Sequence, residues 1–564
     1  MSPSISFRHA RVWTLSVMTA VFGCPVHADT LVKANNADGL NLPSSWTTAV
    51  VPGSNDTVRW DSTVTAARTV SLGGNQSWRG LDIVDPGGSV TFSTGSLLTL
   101  GSGGISTSPN FAITLNNAVA LGEAQTWKVA ANSLIPAGGV NTGGFALTLD
   151  GAGTKQFKKD ITGGGSILIK GGTTRFSSAS TAGVSAVTAN PGTTLAYDTS
   201  TGSGVRAGNV TLNGATLTVG GLSSADTIES NSGVLSIGPG RSTVTISPNA
   251  AKNSRLSSTA FARQAGGIAL LRGTNLGTGA LAPALVNSSN IVFETPPPLV
   301  GAGGEGTTTL GILVGAYGDI SNGGNGTGLL THTPSHGIRL LDSSTEYLPS
   351  IADGQTQHDN VLLTNSSGAL LTSTVNTSTA INTLSFRVST TAGSGLTVSG
   401  TGTLKVASGV ILGHQSFATS TAADSMILSG VTLDLNGREG VILFNTTNTG
   451  SGGLGGGPLA IESKITNDGG NGVTFCGSGL VKLFGTIPND YTGPTTLLGG
   501  NLHLAKSGIP AIPGNLIIYN GSVINASNQV PDTADIIIHG GNLAQKSSLN
   551  SGSGASETFR DLFM

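Results

Sequence analysis

Four groups of side chains in this 564-residue chain have the types and spacing that chemistry requires. His332 and His336 stand four residues apart, the separation that aligns two imidazoles on one helix face for zinc, and Asp342 and Glu346 follow as acidic partners. Pro334 and Gly337 break the helix that would align them, so an exposed loop is the plainer reading. Asp353, His358 and Asp359, in IADGQTQHDN, form a second polar cluster that reads as a loop entering a strand. Asp532 and Asp535, in PDTAD, are the closest acidic pair, and they suit turn capping ahead of a strand from Ile536 to Ile538. Gly301, Gly303 and Gly306 match the dinucleotide-binding glycine pattern. Their flanks, PPPLV and TTTLGILV, supply no helix to receive a pyrophosphate, and in so glycine-rich a chain roughly two such matches arise by chance. No phosphate loop ending in Lys-Ser/Thr and no nucleophile elbow occurs. The sequence therefore assigns no catalytic, cofactor-binding or metal-binding residue, and no cofactor.

The elements that would position any such site come from an unusual composition. Charged residues are 10% and aromatics 5%, while there are 85 glycines, about twice the ordinary frequency of roughly 7%. Hydrophobic residues still make up 37% and mean hydropathy is +0.15, which argues against general disorder. The apolar residues come in short runs broken by glycine, so burial must occur in many thin layers. A net charge of -2 lacks the basic stripe that a nucleic-acid partner wants.

The recurrent unit is a short alternating strand, a glycine turn and another short strand. In VTLNGATLTVGG, Val210 and Leu212 alternate with Thr211, Asn213-Gly214 turns, and Ala215, Leu217 and Val219 alternate with Thr216 and Thr218. The design returns at Val90, Phe92, Leu98 and Leu100, at Leu147 and Leu149, at Leu396, Val398, Leu404 and Val406, and at Val431, Leu433 and Leu435. Units of roughly 20 to 25 residues predict a solenoid in which each rung covers the apolar face of the last. Asn-Gly between alternating strands is also a hairpin signal, and an antiparallel sandwich is the main rival. A sandwich closes after about seven to nine strands, whereas these units continue, so the expectation is an all-β, right-handed parallel β-helix with an irregular middle region. About 20 rungs at about 4.8 Å each would make a rod on the order of 100 Å long. The best helical candidate, STAFARQAGGIALL, is a weak one.

The expected organisation is a signal peptide at 1–28, solenoid repeats at 29–250, an irregular insertion or atypical rungs at 251–360, repeats again at 361–545, and an unstructured tail at 546–564. Arg8 and Arg11 form a positive head, Val12 to Phe22 an apolar stretch, and Val26-His27-Ala28 a cleavage site, so the exported chain is expected to begin at Asp29. An N-terminal membrane anchor needs about 20 apolar residues, more than this stretch supplies. Lipidation at Cys24 is the alternative fate of this segment, and Phe22 fits that motif poorly. After cleavage Cys476 has no partner for an intramolecular disulfide. Three prolines, Pro296 to Pro298, interrupt any ladder in the middle region.

The stretch GLVKLFGTIPNDYTGPTTLLGGNLHLAKSG, from Gly479 to Gly508, resembles the repeat of the autotransporter-associated β-strand repeat family: an apolar strand, an Asn-x-Tyr-Thr-Gly turn at Asn489 to Gly493, a Thr-rich strand, Gly-Gly, and another apolar strand. The next residues, to Leu543, are similar to following rungs. SSWTTAVVPGSNDTVRWDS resembles the segment that opens such proteins, with Trp60 in place of a smaller aromatic. The resemblance implies a parallel β-helix, export, and a secreted, periplasmic or cell-surface role, and it carries over no catalytic residue. The expected function is a structural or adhesive passenger-type protein with an unknown surface ligand, such as carbohydrate or extracellular matrix, and no catalysis. A carbohydrate-active β-helix enzyme is the alternative. Its mark would be acidic side chains such as Asp434, Glu439 and Glu462 converging from neighbouring rungs. No span remains to cross a membrane after cleavage. The tail from Gln545 has no strand cadence, which suggests a truncated member that self-associates through an open end.

Overall fold

The alternation of apolar and hydroxyl residues forms short strands that pair with the rung above and the rung below. A computed structural model describes residues 28–108, 110–177, 183–198, 203–282, 286–352, 355–389, 395–416, 425–447, 457–545 and 556–564. Residues 1–27 of the proposed signal segment, Cys24 among them, and Asp353 lie outside the described residues. The described chain is a parallel β-solenoid with no α-helix. The expected helical candidate instead forms the strands Ala260–Arg263 and Gly267–Gly273, because Phe261, Ala269 and Leu271 complete apolar columns of the stack.

Asn213-Gly214 shows why the local hairpin signal is misleading. The strands it joins, Asn209–Leu212 and Thr216–Gly220, belong to different sheets, and the turn is a corner of one rung. Gly214 has φ +65° there, and Gly240 occupies the neighbouring corner at φ +104°. A Cβ on Gly240 would lie 3.0 Å from the Gly214 Cα, so glycine serves both turn and rung spacing. Inside the corner, Leu195, Leu217, Val244 and Leu271 stack in register and are fully buried. Phe157, Phe176 and Tyr197 form an aromatic column with ring centroids 5.8 and 6.2 Å apart. At the start of the stack Trp60 is fully buried against Trp46 and Phe92, at 6.3 and 5.3 Å.

The Asn-x-Tyr-Thr-Gly turn ties three rungs together. Asn489 accepts a hydrogen bond from the Ile465 amide (2.8 Å) and donates one to the Ala511 carbonyl (2.8 Å). The buried Tyr491 hydroxyl lies 2.6 Å from Thr495 Oγ1.

The rungs form two stacks instead of one long rod. In the N-terminal stack two equally long runs of parallel strands go from Thr30–Val32 to Ala260–Arg263 and from Arg68–Val70 to Ala316–Asp319. Parallel pairing continues within the middle region through Ser289–Phe293 to Ala316–Asp319, which pairs in parallel with Gly267–Gly273, and the end of this stack is then covered by Gly328–Thr333 and Gly337–Leu340, added antiparallel. The C-terminal stack has a nine-stranded sheet from Asn360–Asn365 to Asp561–Phe563. The last residues do not follow the expectation of an unstructured tail: Asp561–Phe563 pairs in parallel with Asp535–Ile538, and Glu557 accepts from the Gln529 and Val530 amides at 2.8 and 3.1 Å.

The second stack runs back alongside the first. Asn360 donates to the Leu310 carbonyl (2.9 Å), further along Glu439 pairs with Arg263 (2.6 Å), and near the end Gly540 and Gly541 lie beside Pro191 and Gly192. Rising numbers in one stack thus meet falling numbers in the other. The junction is apolar: Ile268, Leu270 and Tyr317 pack against Val410, Leu412, Val441, Leu443, Cys476 and Leu498.

His414 is buried at this junction, and burial together with the Arg387 guanidinium, partly offset by Asp319, holds its imidazole down at about 4. Between the ordinary value of 6.5 and about 4 the unfolded chain binds the proton that the folded chain refuses. Stability is therefore expected to be unaffected by this group above pH ~6.5 and to fall on acidification at about 1.4 kcal/mol per pH unit within that window. Urea titrations from pH 7 to 4 on the native chain and on His414→Gln check this, since the variant should lose that part of the slope.

Candidate functional site

The structure gathers several of the sequence-selected residues beside the closing hairpin of the N-terminal stack. Gly306, His336, Asp342 and Glu346 line one cleft of about 440 Å³, together with Glu305 and Arg339. Arg339, which sequence reasoning did not select, organises it. The strand Gly337–Leu340 aims its guanidinium at Glu346, which accepts two hydrogen bonds from it at 2.7 and 2.8 Å. Glu346 also accepts from the Gly306 amide (2.9 Å) and the Asp342 amide (2.7 Å). Burial raises the Glu346 carboxyl, and the bonds from Arg339, Gly306 and Asp342 outweigh it, leaving the group below its usual range and ionised. Both oxygens are thereby committed to holding the 301–306 loop against the hairpin.

Asp342 is drawn down chiefly by the Ser344 hydroxyl and amide, a turn of the Asx type. Glu305 remains half-exposed, 3.9 Å from Arg339. His336 is half-buried with Nδ1 2.8 Å from Ser335 Oγ, whereas His332 is buried, its ring 6.2 Å from that of Phe293. His332 lies in the strand Gly328–Thr333 and His336 in the turn that follows it, in place of the helix that a zinc pair needs. Among the described residues no three His, Cys, Asp or Glu side chains are placed to hold a metal ion.

The other selected groups do not join this cleft. Asp359 accepts from the Thr356 amide (2.9 Å) and the Thr308 hydroxyl (3.2 Å), fixing the loop before the strand Asn360–Asn365, and His358 is half-buried beside it. Asp532 is exposed, while Asp535 opens the strand Asp535–Ile538 and pairs with Arg560. Val300 bridges to Ile312 and Gly303 to Leu310, with Gly301 in the bend between them and no helix after them. Asp434 caps a turn at the Asn436 amide (2.7 Å), Glu439 pairs with Arg263 across the junction, and Glu462 accepts from Ser429. The strands beside these three acids belong to three different sheets, so they do not share a groove.

Pattern reading also missed the polar interior. Arg206 and Glu229 are fully buried and bonded to each other, the second contact being 2.8 Å from Nη2 to Oε1. Asn231 accepts from the Tyr197 hydroxyl (2.6 Å) and donates to Ser258 (3.1 Å). Lys155 places its ammonium on the Gly151, Gly153 and Gly171 carbonyls, and burial lowers it to about 8.

The outward face offers a different kind of site. Ser133, Thr154, Thr173, Thr194, Thr216 and Thr243 occupy equivalent positions on successive rungs of one sheet, and all are half-buried. Parallel pairing sets these hydroxyls roughly 4.8 Å apart in a line. Comparison with family models, curated proteins and solved structures finds no match to the chain.

Proposed function

We propose that this chain is an exported, non-catalytic surface solenoid of the autotransporter-passenger type, with a structural or adhesive role. The observation that carries the reading is the unbroken column of six hydroxyl side chains from Ser133 to Thr243. A line of hydroxyls at a fixed repeat suits many weak hydrogen bonds to a polymeric partner, where affinity comes from the number of simultaneous contacts. Export rests on the Arg8-to-Ala28 signal pattern.

The test has two arms. N-terminal sequencing of extracellular protein from a bacterial host is expected to return Asp29, and cytosolic protein beginning at Met1 would overturn export. Beads coated with residues 29–564 are expected to retain a polysaccharide or matrix layer, and the triple variant Thr173→Val, Thr194→Val, Thr216→Val should retain much less of it. These substitutions keep β-branched shape on an outward face, so folding should survive. Equal retention by both coatings would remove the adhesive role assigned to the column.

A further inference from the structure

The junction between the stacks is packed for most of its length and opens at one end. On the C-terminal stack a single outward column passes through Leu412, Leu443 and Cys476 and continues as Leu498, Tyr519 and His539, each one residue past the paired positions Leu497, Ile518 and Ile538. The first four of these residues are buried in the junction. Tyr519 is half-buried and His539 exposed, and their rings stack with centroids 4.5 Å apart and planes 21° from parallel. Opposite them, the N-terminal stack presents rung corners made of Gly192, Gly214 and Gly240, with Arg241 beside them. The result is a cleft of about 290 Å³, at the small end of the range for organic ligands.

Its chemistry is specific. The Arg241 Nε–H donates to the Tyr317 hydroxyl (2.8 Å), which fixes the guanidinium plane, and the group lines the cleft. Among the described residues lining the cleft there is no Asp or Glu, and Arg272 is a second cation close enough to be felt. The Asn520 side chain lies on the same rim, its Oδ1 accepting from the Gly521 amide (2.8 Å). A held guanidinium without a carboxylate asks for a planar anion, since its fork matches carboxylate geometry. The Tyr519–His539 stack offers a flat apolar wall, and the Gly192 corner leaves its peptide edge open, with nothing within 4 Å of where a Cβ would stand.

We propose that this cleft binds a carboxylated sugar ring, with the carboxylate on Arg241, the C–H face of the ring against the Tyr519–His539 stack, and the hydroxyls toward Asn520 and the glycine backbone. The site gives the adhesive reading a ligand class and rests on that reading for its role, although its geometry stands without it.

Calorimetric titration of residues 29–564 with trigalacturonate, and with cellotriose as the neutral control, tests the assignment. Trigalacturonate should saturate one site and bind at least about tenfold more tightly than cellotriose, Arg241→Gln should weaken it by about tenfold or more, and His539→Ala by about three- to tenfold. His539 is exposed, so its variant should keep the native urea midpoint and separates loss of binding from loss of fold. Failure of trigalacturonate to bind, equal affinity for cellotriose, or unchanged affinity in both variants would overturn the site whatever the coated beads do. Cleavage of bound trigalacturonate to shorter products would support the site and overturn the non-catalytic reading instead.

Discussion

Leu443→Asp is expected to destabilise the protein by about 3–5 kcal/mol, as much as Leu217→Asp, while Thr216→Asp stays within about 0.5 kcal/mol of the native chain. Leu217 sits inside its rung, fully buried between Leu195 and Val244, and a carboxylate there has no partner. Thr216, its neighbour on the outward face, is half-buried and reaches water. Leu443 belongs to the outward face too, since Ile442 is the inward residue of that strand, yet it is as buried as Ile442 because the N-terminal stack covers it. Urea unfolding of the three variants is the measurement. A Leu443→Asp midpoint close to that of Thr216→Asp would show that the two stacks do not pack through this column.

Glu229→Ala is expected to cost about 3–5 kcal/mol, whereas the double variant Arg206→Met, Glu229→Leu should lie within about 1 kcal/mol of the native chain or above it. Both side chains are fully buried, and removing one leaves the other charge in the interior. Burial raises the Glu229 carboxyl against the opposing pull of its hydrogen bonds and ion pair with Arg206, so desolvation already takes back much of what the pair gains. Apolar replacements of similar length remove both the gain and the desolvation cost, and Leu256 on the next rung gives a Leu at position 229 an apolar neighbour in register. Thermal and urea unfolding of the single and double variants measure this directly. A double variant as unstable as the single one would mean that the pair also fixes the rung register, where the strand Ser203–Ala207 already carries a bulge between Val205 and Ala207.

Sequence alone settled the class of structure: local alternation and the recurrence of glycine turns are properties of single rungs, and a solenoid is built from rungs. Val210, Leu212, Leu217 and Val219 all face inward as their alternation requires. The inverted strand Thr227–Asn231 marks the limit of that rule. There Thr227, Glu229 and Asn231 face inward and Ile228 is 42% exposed, because Arg206 and Ser258 supply partners from neighbouring rungs that no local pattern contains. The cleft around Glu346 was legible in part. Asp342 and Glu346 stand out by type, but Arg339 and the Gly306 amide join them only through the hairpin and the returning loop. The folding back of one stack on the other had a trace in the sequence that alternation alone does not interpret. VILG, VILF and LIIY, within residues 410–519, are continuous apolar runs, the pattern of parallel strands covered on both faces. Which surface covers them is a long-range choice, made by the antiparallel closing hairpin at 316–340 that ends one stack and lets the next return beside it. The pairing of Arg241 with the Tyr519–His539 stack therefore exists only in the tertiary structure, because residues far apart in the chain meet where two stacks of different length lie side by side.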